Sequence, residues 1–71
     1  MNKPAAERDN DRLHSEAVQS EIFALLSHSG PLHCGAVARH LGISPYTARE
    51  HLHAMVDRGE IDYNWIRGYS V

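Results

Sequence analysis

Tyr46, Arg49, Glu50 and His53 stand at i, i+3, i+4 and i+7, the spacing that lines four side chains along one face of a helix. They bring a phenol, a guanidinium, a carboxylate and an imidazole, groups that can donate or accept hydrogen bonds at the edges of nucleobases. Arginine can bind O6 and N7 of guanine together, a contact worth about 1–3 kcal/mol of discrimination. A carboxylate on the same face repels phosphate unless it accepts from a cytosine amino group. The pattern points to a helix laid in the major groove of duplex DNA. Each residue also has an ordinary alternative: Arg49 can pair with Glu50 or Asp57, and Tyr46 can pack over its own first turn.

Other residues extend the candidate DNA-binding set. Ser44 and Pro45 form a strong helix start, since serine can satisfy an orphan backbone donor and proline at the first position has no donor to lose. Ser44 and Thr47 suit phosphate contacts or capping, because phosphate contacts outnumber base contacts in such interfaces. Arg39 and Arg67 are candidate phosphate clamps. His53 can reach phosphate too, with a charge set by pH because an unperturbed imidazole titrates near about 6.5.

These residues need elements to hold them. Ala48, Leu52 and Met55 give the helix over 44–58 an apolar inner face, with Val56 at its boundary and Gly59 closing it. Cys34, Val37, Ala38 and Leu41 mark a preceding helix over 34–41, and Gly42-Ile43 the turn between the two. Val18, Ile22, Leu25 and Leu26 predict a first helix from about Asp11 to His28, ended by Ser29-Gly30-Pro31. Residues 1–10 read as a flexible arm, and 11–71 as the domain. After Gly59 the period changes. Ile61, Tyr63 and Trp65 alternate with Asp62 and Asn64 as a strand, 66–68 turn, and 69–71 return. The fold class is α+β, mainly α: three helices followed by a short two-stranded β-hairpin. Trp65, Tyr63 and Tyr69 are expected to pack that hairpin onto the helices, with stacking on bases as the alternative.

The phrase Val37-Ala38-x-x-Leu41-Gly42-Ile43-Ser44, continued by Leu52-x-x-Met55-x-x-x-Gly59-x-Ile61, resembles the winged helix-turn-helix DNA-binding domain of small bacterial transcriptional regulators. The step Tyr46-Thr47-Ala48-Arg49 is most like the FaeA/PapI-type family, whose recognition helix opens on Tyr-x-Ala-Arg. The resemblance implies that 44–53 enter the major groove and that the hairpin meets backbone or minor groove. It also implies work on a promoter, in some cases beside a larger partner regulator. Two departures stand out: Arg67 is the one basic residue of the hairpin, and Glu50 sits on the reading face.

Bulk properties bound these readings. A chain of 71 residues makes one small domain, with little core to spare for a catalytic cleft. No nucleophile–base pair or paired carboxylates stand at workable spacing, so the expectation is no enzyme and no cofactor. Formal net charge is −2, unusual for a nucleic-acid binder. The acidity is concentrated in the first 30 residues, where Glu7, Asp9, Asp11, Glu16 and Glu21 face Lys3, Arg8 and Arg12. Cys34 is the single cysteine, which excludes an internal disulfide and fits a reducing cytoplasm. The polar N-terminus lacks the apolar run of a secretory signal, and no apolar stretch approaches a membrane span. Six histidines invite a metal hypothesis, yet His51 and His53 diverge on a helix and Cys34 falls on an apolar stripe; no metal site is expected. Two competing functions remain: a winged-helix adaptor for protein, favoured by the acidic balance, and a metal- or redox-responsive switch. The sequence sets no oligomeric state.

Overall fold

Apolar residues recurring three and four apart become three helices in the computed structural model, which describes the backbone of residues 5–71 and the side chains of residues 15–71. Helix α1 spans Ala5–Ser29, α2 Cys34–Leu41 and α3 Pro45–Asp57. Strand β1, Asp62–Asn64, pairs antiparallel with β2, Gly68–Ser70. This is the mainly helical architecture expected, with a hairpin following three helices. One boundary differs: α1 begins at Ala5 rather than near Asp11, so residues 5–10 of the expected arm carry helical backbone. The run Ala5-Ala6-Glu7-Arg8 has high intrinsic helix propensity, which apolar periodicity does not register. Residues 1–4 of the expected arm lie outside the described residues.

Each helix buries the stripe its sequence marks. Val18, Ile22 and Leu26 of α1 meet Val37 and Ala38 of α2 and Ala48, Leu52 and Met55 of α3; Ile61 and Tyr69 complete the core from the hairpin. Leu25, Cys34, Leu41, Ile43 and Val56 pack around its margin. Taking a leucine, isoleucine or methionine side chain fully out of water stabilises by about 1.5–3 kcal/mol. Ile22, Leu26, Leu52 and Met55 therefore dominate the packing.

The hairpin is tied to the helices by a contact that sequence pattern does not reveal. Leu32, between α1 and α2, forms an isolated antiparallel bridge with Tyr69. Leu32 N–H donates to the Tyr69 carbonyl at 2.9 Å, and Tyr69 N–H returns a bond to the Leu32 carbonyl at 2.7 Å. Strand β2 thus lies between β1 and Leu32. The close approach requires Gly68. Its φ is +99°, and a Cβ there would stand 2.4 Å from the Leu32 carbonyl oxygen and 2.7 Å from the His33 nitrogen.

Ile61, Trp65 and Val71 fall outside the strands expected to hold them, and Gly68, expected in the turn, opens β2. The Asn64 side chain turns the chain early: its Oδ1 accepts from Ile66 N–H at 2.8 Å and Arg67 N–H at 3.1 Å. Trp65 consequently sits in the turn, 77% exposed, while Tyr69 is buried and its ring lies 4.7 Å from that of Tyr63. Of the three aromatics expected to pack the hairpin, Tyr69 does so fully and Trp65 does not.

Gly68→Ala should destabilise the fold by about 2–3 kcal/mol, since it adds both backbone strain and a main-chain clash. Gly35→Ala, in a helix with nothing within 4 Å of the new atom, should be neutral or gain up to about 1 kcal/mol. Denaturant unfolding of both variants checks this. Burial, chiefly, holds the Tyr69 phenol above its ordinary range, with Cys34 and Tyr63 adding and Arg49 opposing. Its stabilising contribution is complete below the ordinary phenol range and is lost as pH rises through the raised value. Tyr69→Phe should therefore unfold less steeply with alkaline pH than the parent.

Candidate nucleic-acid interface

The connection between α2 and α3 is three residues long and self-contained. Gly42 takes the left-handed conformation, φ 69°, and its N–H bonds the Ala38 carbonyl, which also accepts from Ile43 at 3.1 Å. Ser44 is extended and caps α3: its Oγ accepts from Thr47 N–H at 3.0 Å, while its own hydroxyl donates to Thr47 Oγ1 at 2.9 Å. Pro45 follows at the first helical position. At the far end, Gly59 N–H bonds the Val56 carbonyl and Glu60 N–H the Met55 carbonyl, each at 2.9 Å. That pair of bonds is a Schellman closure. Both ends of α3 are thereby satisfied by local chemistry.

With Ala48, Leu52 and Met55 buried, the opposite face of α3 is turned outward. Tyr46, 71% exposed, lines an open concavity of about 260 Å³ with Arg49, Glu50 and His53. The four residues selected by spacing are thus brought together. Among the described residues Arg49 makes no ion pair, so the alternative of pairing with Glu50 or Asp57 is not adopted. Its guanidinium is exposed and able to donate to a planar acceptor pair. His53 leans toward Tyr69, ring centroids 6.4 Å apart. It also opens a second concavity of about 250 Å³ lined by Val56, Asp57, Tyr63 and Tyr69. The outer face of α3 and the hairpin therefore form one continuous surface.

The remaining candidates stand apart. Ser44 and Thr47 are joined to each other at the helix start, and Pro45 is exposed beside them. Arg39 is exposed in the last turn of α2, and Arg67 in the hairpin turn. Neither forms an ion pair among the described residues.

Sequence reading passed over a polar seam between α1 and α3. His51 Nδ1 lies 3.2 Å from Gln19 Nε2 and 3.4 Å from Ser15 Oγ. Arg58 donates to Gln19 Oε1 and to both carboxylate oxygens of Glu60, the latter at 2.9 and 3.2 Å. The hydrogen bond and charge of Arg58 hold the Glu60 carboxyl below its usual range, and Glu60 raises Arg58 in return. A signal was present. His51 falls between Ala48 and Leu52 at i+3, and Gln19 flanks Val18 and Ile22, so both are polar residues on otherwise apolar stripes.

Two helices joined by a three-residue glycine turn, the second offering a polar outer face, form the arrangement of a helix-turn-helix. Residues 15–60, more than half of the chain, match the family described as helix-turn-helix domain. The chain belongs to the helix-turn-helix domain family. No curated protein and no solved structure matches it. Helix-turn-helix domains are binding modules for double-stranded DNA, and the match ends just before the hairpin that completes the winged form here. Among the described residues, no helix is long and apolar enough to cross a membrane, and no three of His, Cys, Asp and Glu are grouped to hold a metal ion.

Ser44→Ala in this helix-turn-helix should cost about 1 kcal/mol through the lost cap, and Ser44→Asp should recover most of it. Thermal unfolding of the two variants measures the difference.

Proposed function

We propose that this helix-turn-helix chain is a sequence-specific transcriptional regulator that lays α3 in the major groove. It would act in the cytoplasm at a promoter, in the manner of the FaeA/PapI-type regulators that its Tyr46-Thr47-Ala48-Arg49 step resembles. The observation that carries the reading is the exposed Arg49 guanidinium, without an ion pair among the described residues and set with Tyr46, Glu50 and His53 around one concavity. In this reading Arg49 binds a guanine edge, and Glu50 accepts from a cytosine amino group. Tyr46 meets a thymine methyl or a sugar. Ser44, Pro45 and Thr47 approach the phosphates at the start of α3, and His53 reaches phosphate one turn further along. Arg39 and Arg67 clamp the backbone on either side. A near-neutral face gives weak binding to arbitrary sequence, which leaves base contacts to supply most of the affinity and gives a larger partner regulator a role at the promoter.

The test is fluorescence anisotropy on a duplex enriched from a random pool, compared with a scrambled duplex. Arg49→Ala should cost about 1–3 kcal/mol on the enriched duplex and little on the scrambled one. Arg39→Ala should weaken both alike and reduce the salt slope by about 1. An Arg49→Ala variant that binds the enriched duplex as the parent does would overturn the assignment. Failure to bind any duplex at low salt would favour the protein-adaptor function instead.

A further inference from the structure

The tip of the hairpin carries two of the three most exposed large hydrophobic side chains among the described residues, the third being Tyr46 on α3. Trp65 is 77% and Ile66 64% exposed, and Arg67 follows directly. Neither Trp65 nor Ile66 belongs to the core or packs against it, so leaving an indole in water needs a reason beyond folding. The tip is also held in shape. Asn64 Oδ1 binds the Ile66 and Arg67 amides, His33 Nε2–H donates to the Ile66 carbonyl at 3.0 Å, and Gly68 is wedged against Leu32. Two apolar side chains beside one cation thus stand on a braced turn, with little conformational entropy left to lose on contact.

Resting on the DNA-binding reading above, we propose that Trp65 and Ile66 form a wedge that enters the minor groove and unstacks a base step, kinking the duplex toward α3. Three observations fit this occupant. The outer face of α3 meets the hairpin strands at a concavity lined by His53, Tyr63 and Tyr69, so a duplex lying on α3 extends toward the hairpin. Apolar side chains inserted between base steps are the usual means of bending DNA from the minor groove. Arg67 supplies the cation that a narrowed minor groove attracts. The wedge also offsets the low net charge, because stacking of the indole on the opened step contributes affinity that does not depend on phosphate neutralisation, against the cost of unstacking that step. It predicts a preference, at a fixed distance from the guanine read by Arg49, for a flexible pyrimidine–purine step.

Trp65 is the single tryptophan of the chain, so its fluorescence reports on the tip alone. The experiment records anisotropy of a labelled enriched duplex and Trp65 emission in one titration. End-to-end energy transfer across the duplex then measures bending. The expected result is quenching of Trp65 in step with the anisotropy and a bend within about 20–90°. Trp65→Ala should abolish the bend and weaken binding about tenfold, with a nearly unchanged melting temperature because the side chain is largely exposed and outside the core. Trp65→Phe should restore part of both. Rising anisotropy with unaltered Trp65 emission, or a straight duplex, would overturn the wedge while leaving α3 recognition intact. An absence of anisotropy change would sink the DNA-binding reading itself. A blue shift of Trp65 on concentrating the protein without DNA would mean that the tip docks a second copy, and would also overturn the wedge.

Discussion

Everything exposed on α3 is where it is because Ala48, Leu52 and Met55 have one place to go. Those three positions are almost wholly withdrawn from water, against Val18, Ile22 and Leu26 of α1 and Val37 and Ala38 of α2. A helix clamped along one stripe cannot roll without bringing polar groups inward, at a cost of about 1–3 kcal/mol for each one left unsatisfied. The roll of α3 is therefore set by dispersion and water exclusion. The outward presentation of Tyr46, Arg49, Glu50 and His53 is its geometric complement. The seam of Gln19, His51, Arg58 and Glu60 satisfies polar groups along the α1–α3 edge, so the clamp has an apolar centre and a hydrogen-bonded margin.

A second constraint fixes where the hairpin lies relative to that face. The two hydrogen bonds between Leu32 and Tyr69 make the α1–α2 connection a short third partner of the sheet. Gly68 is the residue whose missing side chain lets the backbones approach. With Tyr69 buried, Tyr63 and His53 are brought to one surface. The braced turn at 65–67 joins the two strands that carry Tyr63 and Tyr69.

Much of this was legible in the residues. The α2 limits, the glycine turn, the serine cap and the buried stripes all follow from the 3.6-residue period and from the backbone chemistry of Gly42, Ser44 and Pro45. The grouping of the four polar residues on α3 follows from the same period. What was not legible depends on partners distant in sequence. The Leu32–Tyr69 bridge joins segments with no local pattern in common. Trp65 reads as a strand residue by alternation, and only the Asn64 side chain, by capturing two amides, removes it from the strand. The partners of His51, Gln19 and Ser15, come from α1, more than 30 residues away, so no local pattern names them. The early start of α1 was missed for a different reason: helix propensity without an apolar stripe leaves no period to detect.

The central claim is that the outer face of α3, together with the hairpin, is the surface that meets duplex DNA. The most direct measurement is an amide chemical-shift titration of the whole chain with duplex DNA at two salt concentrations. The account predicts perturbations concentrated on residues 44–53 and 65–67, weakening as salt rises, with the amides of the α1–α3 seam unmoved. Perturbations gathered on α1, or binding that leaves 44–53 silent, would contradict it.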